Sequence, residues 1–301
     1  MRIVVTGATG FIGQSLVGRL AAEGHQVHIL IRKPRAGLPP QIPYSIWDAQ
    51  QNDPPAAALE GAEAVIHLAG EPIAQRWNEA VKRSIRTSRV GGTQRLISAL
   101  SQLGTYPRVF IAGSAIGYYG SRGDEVLTET STLGQGFLAE ICEEWESAAN
   151  LGLALNMRVV RLRTGMVLGK EDGALARMLP AFRAGAGGRI GSGEQWMSWI
   201  HLHDMVSMII AALTNEKFTG AVNAVAPGPV RNLEFTHALA GELRRPAIFP
   251  APMFLLRLLF GEMAESVLEA SQRVMPVVAE KSGFDFRYTE LGPALRDLLR
   301  S

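Results

Sequence analysis

A short apolar run, Arg2-Ile3-Val4-Val5, leads at once into Thr6-Gly7-Ala8-Thr9-Gly10-Phe11-Ile12-Gly13, and nothing else in the chain restricts its fold as much. A segment of helical periodicity follows, Gln14-Ser15-Leu16-Val17-Gly18-Arg19-Leu20. Strand, glycine turn and helix in this order present backbone N–H groups and a helix N-terminus to an anion such as a pyrophosphate. Gly7 permits the sharp turn, Gly10 lets the backbone approach phosphates, and Gly13 lets the helix lie close on the strand. Glycine triplets also occur in purely structural turns. Placed between a strand and a helix, this one reads as a dinucleotide site with Gly7, Thr9, Gly10, Phe11, Ile12 and Gly13 in contact with the ligand.

The second strand indicates which dinucleotide. Gln26-Val27-His28-Ile29-Leu30-Ile31 ends in Arg32-Lys33-Pro34-Arg35, where an NAD site usually carries an acidic residue for the ribose 2′-hydroxyl. A 2′-phosphate would instead meet Arg32 and Lys33, each charge-assisted hydrogen bond contributing about 1.5–3 kcal/mol. The expected cofactor is therefore NADP. The plain alternative is a solvated basic loop.

With 301 residues and 47% hydrophobic content, the chain is long enough for a full α/β core and a smaller second lobe. A net charge of +2 without a basic run gives no sign of a nucleic-acid partner. Cys142 is the only cysteine, which excludes an intramolecular disulfide and a cysteine-based zinc cluster. The greasiest stretch, Phe254 to Phe260, contains Arg257 and is far shorter than the roughly 20 residues that cross a bilayer. The chain opens directly into a strand, with no evident room for a cleavable signal. These features predict a cytoplasmic protein that engages a small molecule, not a membrane, as a monomer or homodimer.

Further strands are expected at 44–47, 62–68, 108–112, 156–162 and 221–225, and helices over 77–103, 136–151 and 205–213. Asp204 is the expected N-cap of the last of these. The alternation predicts a doubly wound parallel sheet. A glycine-rich stretch, 183–193, interrupts it and is placed near the substrate side. From Pro227 onward, short helical segments rich in proline and methionine predict an α-rich lobe, dividing the chain into 1–226 and 227–301.

Taken together, these segments resemble the extended short-chain dehydrogenase/reductases, the Rossmann-fold superfamily of nucleotide-sugar epimerases and dehydratases. The opening glycine loop matches the superfamily's nucleotide turn. His67-Leu68-Ala69-Gly70 matches the turn that lines adenosine and ribose, implying contacts from Leu68, Ala69 and Gly70. Arg89-Val90-Gly91-Gly92-Thr93 matches a helix segment written N-x-x-G-T, with Arg89 as a second cofactor contact in place of the amide; a solvated helix arginine is the other possibility. Arg163 to Gly169 matches the stretch meeting the nicotinamide end, with Val167 as the contact. Gly191 to His201, Arg257 to Ala264, and Ser271 to Phe284 are similar to one atypical branch, the epimerase family proteins with a C-terminal domain of unknown function.

The resemblance also implies a Ser and a Tyr-x-x-x-Lys pair, and here the chain departs from it. Ser114 stands where the serine belongs, but no tyrosine is followed by lysine four residues later. The corresponding stretch reads Gly136-Phe137-Leu138-Ala139-Glu140-Ile141-Cys142, and phenylalanine cannot move a proton. General acid–base catalysis is typically worth about 10²–10⁴-fold. Tyr118 or Tyr119 are the candidate substitutes, with Arg122 or a neighbouring cation lowering the phenol's pKa; packing is their alternative role. Glu140 is a candidate acid or base, or simply a solvated helix residue. His201 and His203 would share a face on a strand, but no third metal ligand accompanies them, so no metal is expected. Trp196 and Trp199 are expected in the substrate cleft or the core. The expected function is an NADP-dependent oxidoreductase or epimerase-like enzyme acting on a small polar substrate; the alternative is a non-catalytic NADP-binding sensor or scaffold.

Overall fold

Near-continuous apolar strands suit a parallel sheet covered on both faces, and such strands make the centre of the protein. In the computed structural model, which describes residues 1–34 and 41–300, seven strands form one parallel sheet in the order β7-β6-β5-β4-β1-β2-β3. They are β1 (Arg2–Thr6), β2 (Gln26–Ile31), β3 (Tyr44–Ile46), β4 (Ala64–His67), β5 (Val109–Ala115), β6 (Arg158–Thr164) and β7 (Gly220–Ala224). Arg35 lies outside the described residues. The longer helices are α1 (Phe11–Ala22), α2 (Glu79–Arg86), α3 (Gly92–Ser101), α4 (Phe137–Asn150), α5 (Gly173–Arg183), α6 (Leu202–Thr214), α7 (Asn232–Leu243), α8 (Met253–Phe260) and α9 (Leu291–Arg300). Ile3 and Val5 face one side, packed with Leu16 and Leu20 of α1 and Ile209 of α6. Val4 and Val65 face the other, packed with Leu96 and Leu100 of α3. The winding direction reverses between β1 and β4, and ligands of open α/β sheets bind at the carboxyl ends of the strands beside such a reversal.

The C-terminal region is helical, as expected. Leu179 of α5, Phe235 and Leu239 of α7, and Leu295 and Leu298 of α9 share an apolar cluster with Trp199. The chain also returns to the sheet: Arg273–Val274 pairs in parallel with Val126–Leu127, and Asn223 on β7 donates to the Met275 carbonyl at 2.9 Å. No helix among the described residues is long and apolar enough to cross a membrane.

Two local readings need correction. The sixth strand starts at Arg158, because Asn156 takes a left-handed conformation (φ 55°), which asparagine tolerates, and closes the preceding turn. Asp204 is not the cap of α6. That helix starts earlier, with His201 as N-cap accepting from the His203 N–H at 3.0 Å. The Asp204 carboxylate is buried and takes the N–H groups of Arg287 and Tyr288 instead. His201 therefore lies at a strand–helix junction, stacked 3.9 Å from Tyr288, and the two histidines do not share a strand face.

β1 and β4 are tied at their carboxyl ends by a hydrogen bond of 2.6 Å between Thr6 Oγ1 and His67 Nδ1. Burial, with a smaller contribution from the Arg89 charge, pushes His67 down to about 4. The folded value lies below the roughly 6.5 of an unfolded histidine, so the unfolded chain takes the proton first as pH falls. Stability is complete above that unfolded value and declines toward pH 4, by about 3 kcal/mol. Urea midpoints measured across this window should fall, and His67→Gln should remove most of the slope, leaving the smaller contributions of His28 and His201, which burial also lowers.

Candidate functional site

The glycine turn is a steric necessity. Gly7 has φ +73°, and a Cβ there would lie 2.6 Å from the Leu68 carbonyl carbon. A Cβ on Gly13 would lie 2.1 Å from the Gly7 oxygen. The first turn of α1 follows Gly10 with no side chain capping its N–H groups, so these donors are open to an anion. Two cavities meet here, sharing Gly7, Gly10 and Leu68.

One cavity, of 510 Å³, runs past Thr9, Ala69 and Gly70 to Arg32 and Lys33, both exposed. It also contains two carboxylates the sequence reading did not place there, Asp48 and Glu71. Asp48 accepts from the Gln50 N–H and the Gln51 side chain, at 2.9 and 3.0 Å. Glu71 lies 3.6 Å from Arg32.

The other cavity, of 590 Å³, runs past Phe11, Ile12, Gly13, Arg89 and Val167 to Ser114. Arg89 sits in a π-helical turn, Thr87–Gly91, between α2 and α3. It is not a solvated helix arginine. Its guanidinium donates to the Glu71 carbonyl at 2.9 Å and lies 5.1 Å from the Trp145 ring, and burial lowers it to about 10. Ile190, from the glycine-rich stretch, and Trp196 line the far part of this cavity. Trp199 is fully buried in the core, donating to the Gly228 carbonyl at 2.8 Å.

Ser114 near the end of β5 is held from beneath. Its hydroxyl donates to Glu146 Oε1 at 2.7 Å, and the same oxygen accepts from Arg163 Nε at 2.7 Å. Glu146 Oε2 accepts from Arg163 at 2.9 Å and from Arg161 at 3.2 Å. Burial disfavours the charge on Arg163, but the hydrogen bond and charge of Glu146, helped by Tyr119, outweigh it and raise the guanidinium's pKa.

Neither tyrosine lines either cavity. Tyr119 is fully buried, donating to Asn223 at 2.6 Å and accepting from Arg163 at 3.0 Å. Tyr118 lies with its ring 3.5 Å from the Arg163 guanidinium. The neighbouring cation is thus Arg163, since Arg122 is paired with Glu125 at 2.8 Å. The expected lowering of the phenol does not occur at Tyr119: burial pushes it up to about 12, against the pull of Arg163. Glu140 is exposed, 3.9 Å from Arg86.

On α4 the cavity is lined by Leu138, Ile141, Cys142 and Trp145, while Phe137 packs with Trp77 at 5.1 Å. The i,i+4 pair Leu138 and Cys142 faces the cavity, and Glu146 lies one turn further along the same face. Burial, reinforced by the Glu146 charge, pushes the Cys142 thiol up to about 11. Sequence reading missed the Glu146 network. Its signal was present in Arg161 and Arg163, cations inside an otherwise apolar strand, which require a buried carboxylate.

A doubly wound sheet with a glycine turn at its switch point and a serine-ended cavity beside it defines a protein of the Rossmann class. The chain belongs to the NAD dependent epimerase/dehydratase family, whose model matches residues 3–224. Residues 251–298 match a second model, a domain of unknown function (DUF1731). The chain is 42% identical over 305 residues to the Arabidopsis thaliana chloroplastic epimerase family protein SDR39U1 homolog, covering 100% of this chain and 87% of that protein. The crystal structure of the human epimerase family protein SDR39U1 with NADPH is similar at a TM-score of 0.90 and 33% identity, covering 100% and 99% of the two chains. The UDP-glucuronic acid 4-epimerase of Bacillus cereus, at 18% identity and a TM-score of 0.80 over 99% and 98%, shares the fold.

Tyr119→Phe deletes a hydroxyl that partners both Asn223 and Arg163. A buried group left unpaired costs about 1–3 kcal/mol. Urea denaturation of this variant should show a loss of that size.

Proposed function

We propose that this chain is an NADP-dependent oxidoreductase acting on a small molecule. The observation that carries the reading is the arrangement of two cavities on either side of the glycine turn, one reaching Arg32 and Lys33, the other reaching Ser114 and continuing past it. The first-turn N–H groups of α1, with Thr9 to Gly13, would hold the pyrophosphate. Leu68, Ala69 and Gly70 would line the adenosine ribose, and Arg89 and Val167 would face the nicotinamide side. The two acidic groups beside Arg32 do not argue for a plain ribose: Asp48 is occupied by Gln50 and Gln51, and Glu71 is opposed by Arg32. The NADPH-bound human relative supports the same cofactor.

A bound nicotinamide supplies or accepts a hydride. Ser114 gives its own proton to Glu146, so toward the cavity it offers a lone pair and orients a donor. Among the described residues no tyrosine, lysine, histidine or carboxylate lines the cavity, so in this reading water supplies the proton. This favours a reductase over an epimerase, which needs a base to take and return a proton at one hydroxyl. The same observation gives the second reading its support: an NADP-binding sensor or scaffold without turnover. The division into a cofactor-binding body (1–226) and a cap (227–301), a cytoplasmic location and a monomeric or homodimeric state belong to this proposal.

Fluorescence titration should show tighter binding of NADPH than NADH. Arg32→Ala should weaken NADPH by about tenfold and leave NADH unchanged. Equal affinities for the two cofactors in the parent chain would overturn the assignment. NADPH consumption across a carbonyl panel separates the two readings, since tight binding with no turnover on any member selects the sensor.

A further inference from the structure

The cavity beyond Ser114 is poor in free polar groups. Ile73, Leu138, Ile141, Met178, Met197 and Leu268 contribute much of its wall, and Arg89 is the one cation among the lining residues. Most of the other polar side chains there already bond within the protein. Ser198 donates to the Gln272 carbonyl at 2.8 Å and accepts from the Val274 N–H at 2.9 Å. The Gln272 amide donates to the carbonyls of Ile116 and Gly120, at 2.8 and 3.0 Å. Asn232 accepts from the Ile190 N–H at 2.7 Å and donates to the Met197 sulfur at 3.2 Å. Thr164 donates to the Leu162 carbonyl at 3.2 Å, and Ser114 to Glu146. Ser266, in the turn Ala264–Leu268, lines the cavity with a hydroxyl that has no partner among the described residues.

We propose that this cavity takes a small, uncharged, largely apolar carbonyl compound and excludes nucleotide sugars. The proposal rests on the NADP-dependent reading above and names its substrate class, replacing the polar substrate expected from sequence. A nucleotide sugar brings a diphosphate, several hydroxyls and a base edge, and each polar group buried without a partner costs about 1–3 kcal/mol, more if charged. One free hydroxyl, Ser266, suits one carbonyl oxygen. In the reduction, the carbonyl carbon gains a hydride from NADPH and its oxygen gains a proton from water, giving an alcohol, NADP⁺ and a hydroxide that solvent buffer neutralises. The exposed surface beside this wall is apolar as well. Val267, which lines the cavity, is 40% exposed, and α8, packed against the same turn, exposes Phe254, Leu258 and Leu259.

Trp145 and Trp196 line the cavity and serve as reporters. Their fluorescence is titrated with cyclooctanone and with UDP-glucose, on the full chain with and without NADPH. Cyclooctanone should quench saturably, and UDP-glucose should do nothing at the same concentrations. Leu268→Asp, or the milder Met178→Gln if the first does not fold, should weaken the ketone by about tenfold or more, with NADPH affinity kept. Saturable UDP-glucose binding in competition with the ketone, or no ketone binding in either form, overturns the proposal. The NADPH titration is read separately: its failure would remove the cofactor reading, while the ketone titration on the cofactor-free chain would still decide the ligand class.

Discussion

The contact between the carbonyl of Gly7 and the backbone of Gly13 governs the geometry of the whole site. At this spacing the first helix lies directly on the first strand, and a single added methyl would collide with the turn. The uncapped N–H groups of α1 consequently point into the junction of the two cavities. Leu68, just past the neighbouring β4, lines the junction as well, and the bond between Thr6 and His67 adds to the backbone ladder that joins those strands. The site is a product of backbone proximity before any side chain takes part.

Beneath the opposite end lies a second constraint of a different kind. Glu146 and Arg163 are charges taken out of water, with Arg161 partly so, and the burial of a charge is tolerated best when it is paired. The network meets this by using both carboxylate oxygens, and it draws Ser114 and Tyr119 into the same lattice of bonds. A serine held this way has a fixed hydroxyl direction, and a tyrosine held this way is part of the scaffold. On the α4 side the cavity is lined by Leu138, Ile141, Cys142 and Trp145, and the carboxylate of Glu146 lies one helical turn beyond Cys142.

The fold was legible because its signals are local and periodic: apolar strands, alternating helices, and a glycine spacing with one steric meaning. The cofactor-side candidates, Gly7 to Gly13, Arg32, Lys33 and Leu68 to Gly70, come together around one cleft because they sit in turns at the strand ends. Illegible were the roles of residues whose partners are remote in sequence. Asp204 looked like a helix cap because the chain 83 residues later, which supplies its N–H donors, cannot be inferred from the neighbourhood. Tyr118 and Tyr119 looked free for chemistry because Arg163, 44 residues beyond Tyr119, was not visible as the group that engages them. Trp196 and Trp199 are three residues apart with identical chemistry, and only tertiary packing puts one in the cavity and the other in the core.

The late segment that returns to the sheet has a consequence for how the molecule comes into being. Gln272 bonds the backbone beside Ile116 and Gly120, Arg273–Val274 adds to Val126–Leu127, and Val267 and Leu268 wall the cavity. The turn and the first helix lie side by side in sequence, whereas Gln272 and Ile116 are 156 residues apart. Loop-closure entropy must be met before contacts of that range reward it. The anion-binding helix end therefore rests on local contacts and the enclosed chamber on remote ones, and the two halves of the site differ in how readily they assemble.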